Sequence, residues 1–384
     1  MRVMISCGEP SGDMYAAELA RHLKAEDPSA VITGFGGERL RGAGADLLGD
    51  FSGLSVTGLL EVVRILPRTL AIYRRLVAAA RAERPDVFVA IDFPDFNFRL
   101  AHALRRLGVP IVYYISPQLW AWRPGRMKTM RRLADRVLVI FPFEEALYRE
   151  AGVPVEWVGH PLLDVMPPPR PKDAIAAELG LETGDPIVAL LPGSRRNEVH
   201  AILPDLVGAA EEIQRRVPAA QFVLARAPHV SQELLQPLLR LGRAARVVDG
   251  RADDVLGVAD VALVASGTVT VQAALHECPM VVVYRLSPLT YRLGRRFVRV
   301  NSFAMANLVA GKRVVPELIQ DDFQPARVAA EAIAILTDPA RAAAMRRELA
   351  EVRHRLGTPG ASARAARAVL DVGRLRATRY SEPG

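Results

Sequence analysis

Cysteine is nearly missing from this sequence: Cys7 and Cys278 are its two examples in 384 residues, so at most one internal disulfide could form. Neither belongs to a C-x-x-C pair, which argues against thiolate metal sites and fits a reducing compartment. No Asp-x-Asp pair occurs, and the seven histidines show no ligand spacing, so no metal site is expected. Long apolar runs are lacking too. No stretch of about 20 residues is free of charge, so nothing is expected to span a membrane. The N-terminus, MRVMISCGEPSGDMYAAE, meets glycine and charge after seven residues, too early for the apolar core of a signal peptide.

What is present reads as a soluble globular protein of two domains, three being the alternative. Half of the 384 residues are apolar and 24% are charged, which excludes long disorder, collagen and coiled coil as the main architecture. Fifty basic residues against 42 acidic ones give a net charge of +8. A cationic surface implies an anionic partner, whether nucleic acid, a membrane face or a phosphorylated substrate.

Short apolar runs alternate with amphipathic stretches. Strands are predicted over residues 2–6, 31–35, 86–91, 110–115, 136–140 and 155–158, with helices over 14–25, 69–82 and 98–107 between them. The stretch MPPPRPK (166–172) can neither pair as a strand nor continue a helix, and reads as an interdomain linker. The pattern then restarts, with strands over 187–191, 221–224, 246–248, 261–264 and 280–283 and a tail of about 60 residues that reads as helix alone. Strands alternating with helices indicate βαβ units and parallel sheets. The expected architecture is therefore α/β: two Rossmann-like, doubly wound domains facing a cleft, at 1–165 and 173–340, with C-terminal helices over 341–384 that could pack back on the first domain. Ligands of such sheets bind beyond the carboxyl ends of the strands.

Several motifs sit at such ends. GEPSGD (8–13) follows the first strand and opens a helix, but it places Glu9 and Asp13 where the dinucleotide fingerprint would hold an anionic pyrophosphate. Ser11 or Asp13 also reads as a helix cap, whereas Glu9 need not cap anything. In IDFPDFN (91–97), Asp92 is the first polar residue beyond the run VFVAI. Flanked by Phe93 and Phe96, its carboxylate is expected to be partly desolvated and suited to act as a general base. Asp95 and Asn97 read as turn and cap residues. SPQLWAWR (116–123) brings Trp120, Trp122 and Arg123 together, either as a stacking surface for a sugar or lipid or as a buried structural cluster. His160, near the expected hinge, reads more readily as structural.

In the second half, LLPGSR (190–195) follows a strand, and a helix begins about Glu198. Free amides, Ser194 and Arg195 at a helix start suit a diphosphate. ASGTVT (265–270) repeats the design, and the two loops together favour a bound nucleotide diphosphate. With no metal expected, a departing diphosphate would rely on Arg195, helix N-termini and backbone amides. Two segments mix large apolar residues with arginine: 54–77, which includes Leu59, Leu60 and Leu66, and 284–300. Both read as interfacial surfaces for anionic lipid, the alternative being ordinary helices with a solvated charged face. Nucleic acid is disfavoured, because no recognised RNA- or DNA-binding module occurs.

Taken in order, GEPSGD, IDFPDFN, YYISPQLWAWR, PFE (142–144), GHPL, LLPGSRRNEV, ASGTVTVQAAL, CPMVVVYR and the run from Asn307 to PELIQ (316–320) resemble the lipid-A-disaccharide synthase family from residue 3 to about 325. The resemblance implies a GT-B type glycosyltransferase that joins UDP-2,3-diacylglucosamine to 2,3-diacylglucosamine 1-phosphate, giving the β-1,6-linked disaccharide 1-phosphate and UDP in one inverting displacement. It implies Asp92 as base with Glu9 as second choice, and a UDP site of Ser194, Arg195, Ser266, Gly267, Thr268, Gln272, Asn307, Glu317 and Gln320. Asp13, Trp120, Trp122, Arg123, Leu59, Leu60 and Leu66 would serve the acceptor and its acyl chains. No cofactor is implied. A cytoplasmic enzyme resting on the inner membrane follows, and a homodimer is compatible with it. One departure stands out: Gln272 occupies a position where the family usually has Glu for ribose hydroxyls, so that nucleotide affinity is reduced or another group, such as Glu277, contributes. The rival readings are another UDP-sugar enzyme of the same fold, such as a UDP-N-acetylglucosamine epimerase, and a non-enzymatic protein that binds RNA or anionic lipid.

Overall fold

A computed structural model describes residues 1–51, 59–119, 125–228, 230–285 and 302–381, with the backbone alone over 59–65 and 376–381. The chain divides into two units, Met1–Val165 with Leu356–Gly384, and Met166–Arg355.

The first unit is built on a parallel sheet of β1 (Arg2–Cys7), β2 (Val31–Gly36), β3 (Asp46–Asp50), β4 (Val87–Ile91), β5 (Ile111–Tyr114), β6 (Arg136–Val139) and β7 (Val155–Trp157). Their order is β3-β2-β1-β4-β5-β6-β7. The second unit holds β8 (Ile187–Leu191), β9 (Gln221–Arg226), β10 (Ala245–Asp249), β11 (Val261–Ala265), β12 (Met280–Tyr284) and β13 (Glu317–Ile319), ordered β10-β9-β8-β11-β12-β13. All pairings are parallel, and the central strands VFVAI, IVALL and VALVA are buried throughout. Helices cover both faces of such strands, so they carry no polar alternation. Each sheet reverses its winding at one place, between β1 and β4 in the first unit and between β8 and β11 in the second. Cys7 pairs with Ile91 and Leu191 with Val264, so the segments after these strands emerge side by side.

The sequence missed β3 and β13. Both are short, and acidic residues interrupt their apolar character. The C-terminal division also differs from the expected one. Helix Pro339–Arg355 packs on helices Thr268–Leu275 and Met305–Ala310, burying Ala342, Met345, Leu349 and Val352, so residues 341–355 belong with the second unit. Helix Ala361–Ser381 packs on helix Pro10–Glu26 of the first. Asp164 anchors this return: its carboxylate accepts the amide of Gly360 and, at 2.7 Å, that of Ser362 at the helix start. The proline-rich stretch lies in the second unit, where a helix begins at Lys172. No helix of the described residues is long and apolar enough to cross a membrane.

Candidate active site

In the first unit, Glu9 and Asp92 follow the two strands that flank the winding reversal. Glu9 is the residue before helix Pro10–Glu26; its backbone is extended and its side chain makes no capping bond. Asp92 and Phe93 are successive non-glycine residues with left-handed backbone, φ 43° and 46°. This double bend turns the chain back into helix Pro94–Arg106, where Pro94 suits the first turn. It also lays the Phe93 ring on Gly8: a Cβ there would lie 2.3 Å from the ring, so only glycine fits. Phe93, Phe96 and Phe35 form one aromatic cluster. Asp92 is half-buried beside it. Burial, and after it the neighbouring Asp92 carboxylate, pushes the phenols of Tyr15 and Tyr113 well above their ordinary values.

Asp13 is engaged by the backbone of the loop after β2. Its buried carboxylate accepts the amides of Gly37 at 2.7 Å, Arg39 at 3.0 Å and Leu40 at 3.2 Å. It therefore caps the short helix Glu38–Gly42 and ties the loop after β2 to the first helix. Asp95 is exposed and pairs with Arg126 at 2.8 Å. His160 is structural: burial lowers its pKa to about 3 against a smaller opposing effect of Asp164, and Nδ1 accepts the Leu162 amide at 3.2 Å. Trp120, Trp122, Arg123 and residues 54–58 lie outside the described residues, as do the side chains of Leu59 and Leu60 and nearly all of the second basic segment. On helix Leu59–Glu83, Ile72 and Leu76 face the core, while Leu66 and Leu70 are exposed at 54% and 43%.

In the second unit, Ser194 and Arg195 follow β8, and Ser266, Gly267 and Thr268 follow β11, again at the winding reversal. Gly193 has φ +113°, and its missing side chain leaves room for Glu198, whose Oε2 would lie 2.7 Å from a Cβ there. Glu198 accepts the amides of Ser194 at 3.3 Å and Arg195 at 3.2 Å, and its other oxygen accepts Arg195 Nη1 at 2.9 Å. A carboxylate thus meets the amides and guanidinium at the start of helix Arg196–Arg216, which is the environment a phosphate would use. In the neighbouring loop, Ser266 Oγ donates to the Phe303 carbonyl at 2.9 Å, and Gln320 bends the chain beyond β13 with φ 54°.

Asn307 and Glu317 meet groups of the protein itself. Buried Asn307 donates to Val315 O at 3.0 Å and Glu317 Oε1 at 2.6 Å, and accepts the Val314 and Val315 amides at 2.7 and 2.9 Å. Its amide is saturated. Glu317 also accepts the Phe303 and Ala304 amides at 2.9 and 3.1 Å. The two side chains frame the loop around helix Met305–Ala310. Glu277 lies 3.5 Å from Arg353, beyond the C-terminal end of helix Thr268–Leu275.

Gln272 belongs to a cluster that the sequence reading did not find. Its Nε2 donates to Asp253 Oδ1 at 2.8 Å, and His276 Nε2 lies 2.9 Å from the same oxygen. Burial pushes the Asp253 carboxyl up, yet the contacts from His276 and Gln272 outweigh it and hold the pKa below its usual value. With the amide nitrogen fixed on Asp253, Oε1 is the end of Gln272 that can accept a further hydrogen bond. The i, i+4 spacing of Gln272 and His276 was an available signal, as was the three-residue spacing from Arg195 to Glu198. Among the described residues, no group of three His, Cys, Asp or Glu side chains could hold a metal ion.

A profile of the lipid-A-disaccharide synthetase family matches residues 3–372. The chain is 45% identical over 372 residues to a lipid-A-disaccharide synthase of Myxococcus xanthus, covering 97% of each. It is 44% identical over 375 residues to that of Geobacter sulfurreducens, again covering 97% of each. Its fold is similar to that of a UDP-GlcNAc 2-epimerase from Neisseria meningitidis solved with UDP-GlcNAc, with TM-score 0.66, 12% identity and coverage of 97% and 100%. The kitacinnamycin glycosyltransferase gives TM-score 0.64 at 19% identity, covering 97% and 98%. Such distant structures speak for the fold alone, which is the GT-B arrangement of two parallel α/β sheets.

Proposed function

The chain belongs to the lipid-A-disaccharide synthase family, and we propose that it moves 2,3-diacylglucosamine from its UDP derivative to the 6-hydroxyl of 2,3-diacylglucosamine 1-phosphate. Identity of 45% across 97% of the Myxococcus protein carries this reading.

The residues at the two winding reversals divide the work. Asp92 takes the proton of the acceptor 6-hydroxyl as its oxygen attacks the anomeric carbon of the donor. The bond from that carbon to the diphosphate breaks, UDP departs with the electron pair, and the α-linked donor gives a β-linked product. General-base catalysis of this kind contributes about 10²–10⁴-fold. Arg195, the amides of Ser194 and Arg195 and the loop Ser266–Gly267–Thr268 receive the diphosphate, whose charge grows as the bond breaks. To reach these groups the diphosphate replaces the Glu198 carboxylate as partner of Arg195. Gln272 accepts from the ribose, and Gln320, beyond β13 and two strands from β11, serves the same strand-end region.

Both substrates carry acyl chains, so the enzyme works at a lipid surface, which we place at the cytoplasmic face of the inner membrane. Exposed Leu66 and Leu70, on the helix that also carries Arg68, Arg74 and Arg75, support this placement. Such a surface is superfluous for an epimerase acting on a water-soluble sugar nucleotide. The test mixes purified protein with both lipid substrates in detergent and follows the disaccharide by mass spectrometry, with Asp92→Asn alongside. Wild type is expected to form product, and Asp92→Asn to lose at least a hundredfold in kcat while retaining UDP binding. Product at equal rate from both removes Asp92 as base; no product with UDP still bound favours a different UDP-sugar enzyme.

A further inference from the structure

We infer that Asn97 and Tyr113 are positioning residues that aim the Asp92 carboxylate, an inference that rests on the reading of Asp92 as base. The observation is a convergence of buried hydrogen bonds on the backbone of that one residue. The Asp92 carbonyl accepts Asn97 Nδ2 at 2.8 Å and the Tyr113 hydroxyl at 2.8 Å, and its amide donates to Ile115 O at 3.2 Å.

Asn97 does more than begin a helix. Fully buried, its Nδ2 also lies 3.2 Å from the carbonyls of Ser6 and Ile91, and its Oδ1 accepts Ser6 Oγ at 2.6 Å. One side chain therefore joins the carboxyl ends of β1 and β4 to Asp92. Tyr113, fully buried near the end of β5, supplies the second donor from the other side. These bonds hold a conformation the chain would not choose. Left-handed backbone is unfavourable for a non-glycine residue, and here two such residues follow one another. Conformations of this type persist only where the surroundings over-determine them. If Asp92 relaxed to extended backbone, its side chain would swing away from the strand end, and Phe93 would leave its seat on Gly8. The fixed carbonyl thus fixes the carboxylate.

Tyr113→Phe removes one hydroxyl and keeps the ring, so the core remains filled. It is expected to lower kcat by roughly ten- to a hundredfold, the scale on which small misplacements act, with acceptor KM and UDP affinity within about twofold of wild type. A residue that only stabilises the fold would not produce this split below the melting transition. The decisive step repeats the change in an Asp92→Glu background, where the base is already displaced but a rate remains measurable. There Tyr113→Phe is expected to cost less than threefold, because the two act on one carboxylate. Asn97→Ser, which keeps a small polar group, is expected to show the same kcat loss and the same non-additivity. Tyr113→Phe at wild-type kcat, or a loss that multiplies undiminished onto Asp92→Glu, overturns the inference. If Asp92→Asn keeps full activity the base assignment itself falls, which separates that failure from one confined to Asn97 and Tyr113.

Discussion

Replacing Gln272 by Glu, the residue that the family resemblance leads one to expect there, is expected to weaken this enzyme, because Asp253 stands against it. The Gln272 amide and the His276 ring both meet Asp253 Oδ1, at 2.8 and 2.9 Å. A glutamate there loses a bond to a charged acceptor, about 1.5–3 kcal/mol, and faces a second carboxylate. Two such charges about 4 Å apart repel by about 4 kcal/mol at an effective dielectric near 20. Asp253 keeps 32% of its side-chain surface exposed, so solvent and rotation of the new side chain reduce the repulsion to about 1–2 kcal/mol. The expected outcome at pH 8 is a lower urea midpoint for the second unit and a UDP Kd raised about tenfold, equivalent to about 1.4 kcal/mol. At pH 5 the carboxylates can share a proton and the penalty shrinks. Asp253→Asn restores a donor to the pair, so Asp253→Asn with Gln272→Glu is expected to bind UDP at least as tightly as wild type. Calorimetry of UDP binding on the four proteins measures the coupling directly. Strictly additive effects, or Gln272→Glu alone binding UDP at wild-type strength, would refute the Asp253 argument.

The other expectations concern the cradle, the lipid surface and a buried imidazole. Arg195→Ala is expected to weaken UDP about ten- to a hundredfold, the value of a charge-assisted contact, with the loss shrinking as salt rises; equal affinity in calorimetry would remove Arg195 from the cradle. Leu66→Ser with Leu70→Ser is expected to reduce sedimentation with anionic vesicles severalfold, each buried leucine being worth about 1.5–3 kcal/mol at most, without altering UDP binding; unchanged sedimentation counts against this face. His160 titrates at about 3 in the folded chain against an ordinary 6.5, so the unfolded state binds its proton first as pH falls. Wild type should therefore lose up to about 1.4 kcal/mol per pH unit from this group between pH 6 and 4, a component absent from His160→Leu; parallel stability curves would show that His160 is not buried neutral.

Most of the fold was legible because both sheets are parallel and covered on both faces. Burial on both sides demands an unbroken apolar run, and VFVAI, IVALL and VALVA stand out against any helix pattern. The strands that escaped lie outside this regime. Asp46–Asp50 is half-exposed, and Glu317–Ile319 has three residues, the first of them an acid that caps a loop. The destination of the C-terminal helices was also hidden, since two alanine- and arginine-rich helices of similar composition pack on different units. A single carboxylate, Asp164, captures the start of the second of them, and no local pattern announces a partner so distant in sequence.

The candidate site was legible in position and only partly in role. A polar residue just past a buried run must emerge at the strand end, which located Glu9, Asp92, Ser194 and Ser266 without knowledge of their partners. Whether such a residue meets a ligand or the protein's own backbone depends on groups brought near by the fold. Asp13 and Asn307 share the motif residues' polarity, yet backbone amides and carbonyls occupy them. Asn97 shows the converse: its cap-like place in the sequence concealed a buried amide joining two strand ends to Asp92, the proposed base. The same physics explains both outcomes. Burying an amide or carboxylate without partners costs several kcal/mol, so each buried polar side chain at the winding reversal has become a strut, and the residues left half-exposed between the struts are the ones that can act on a substrate.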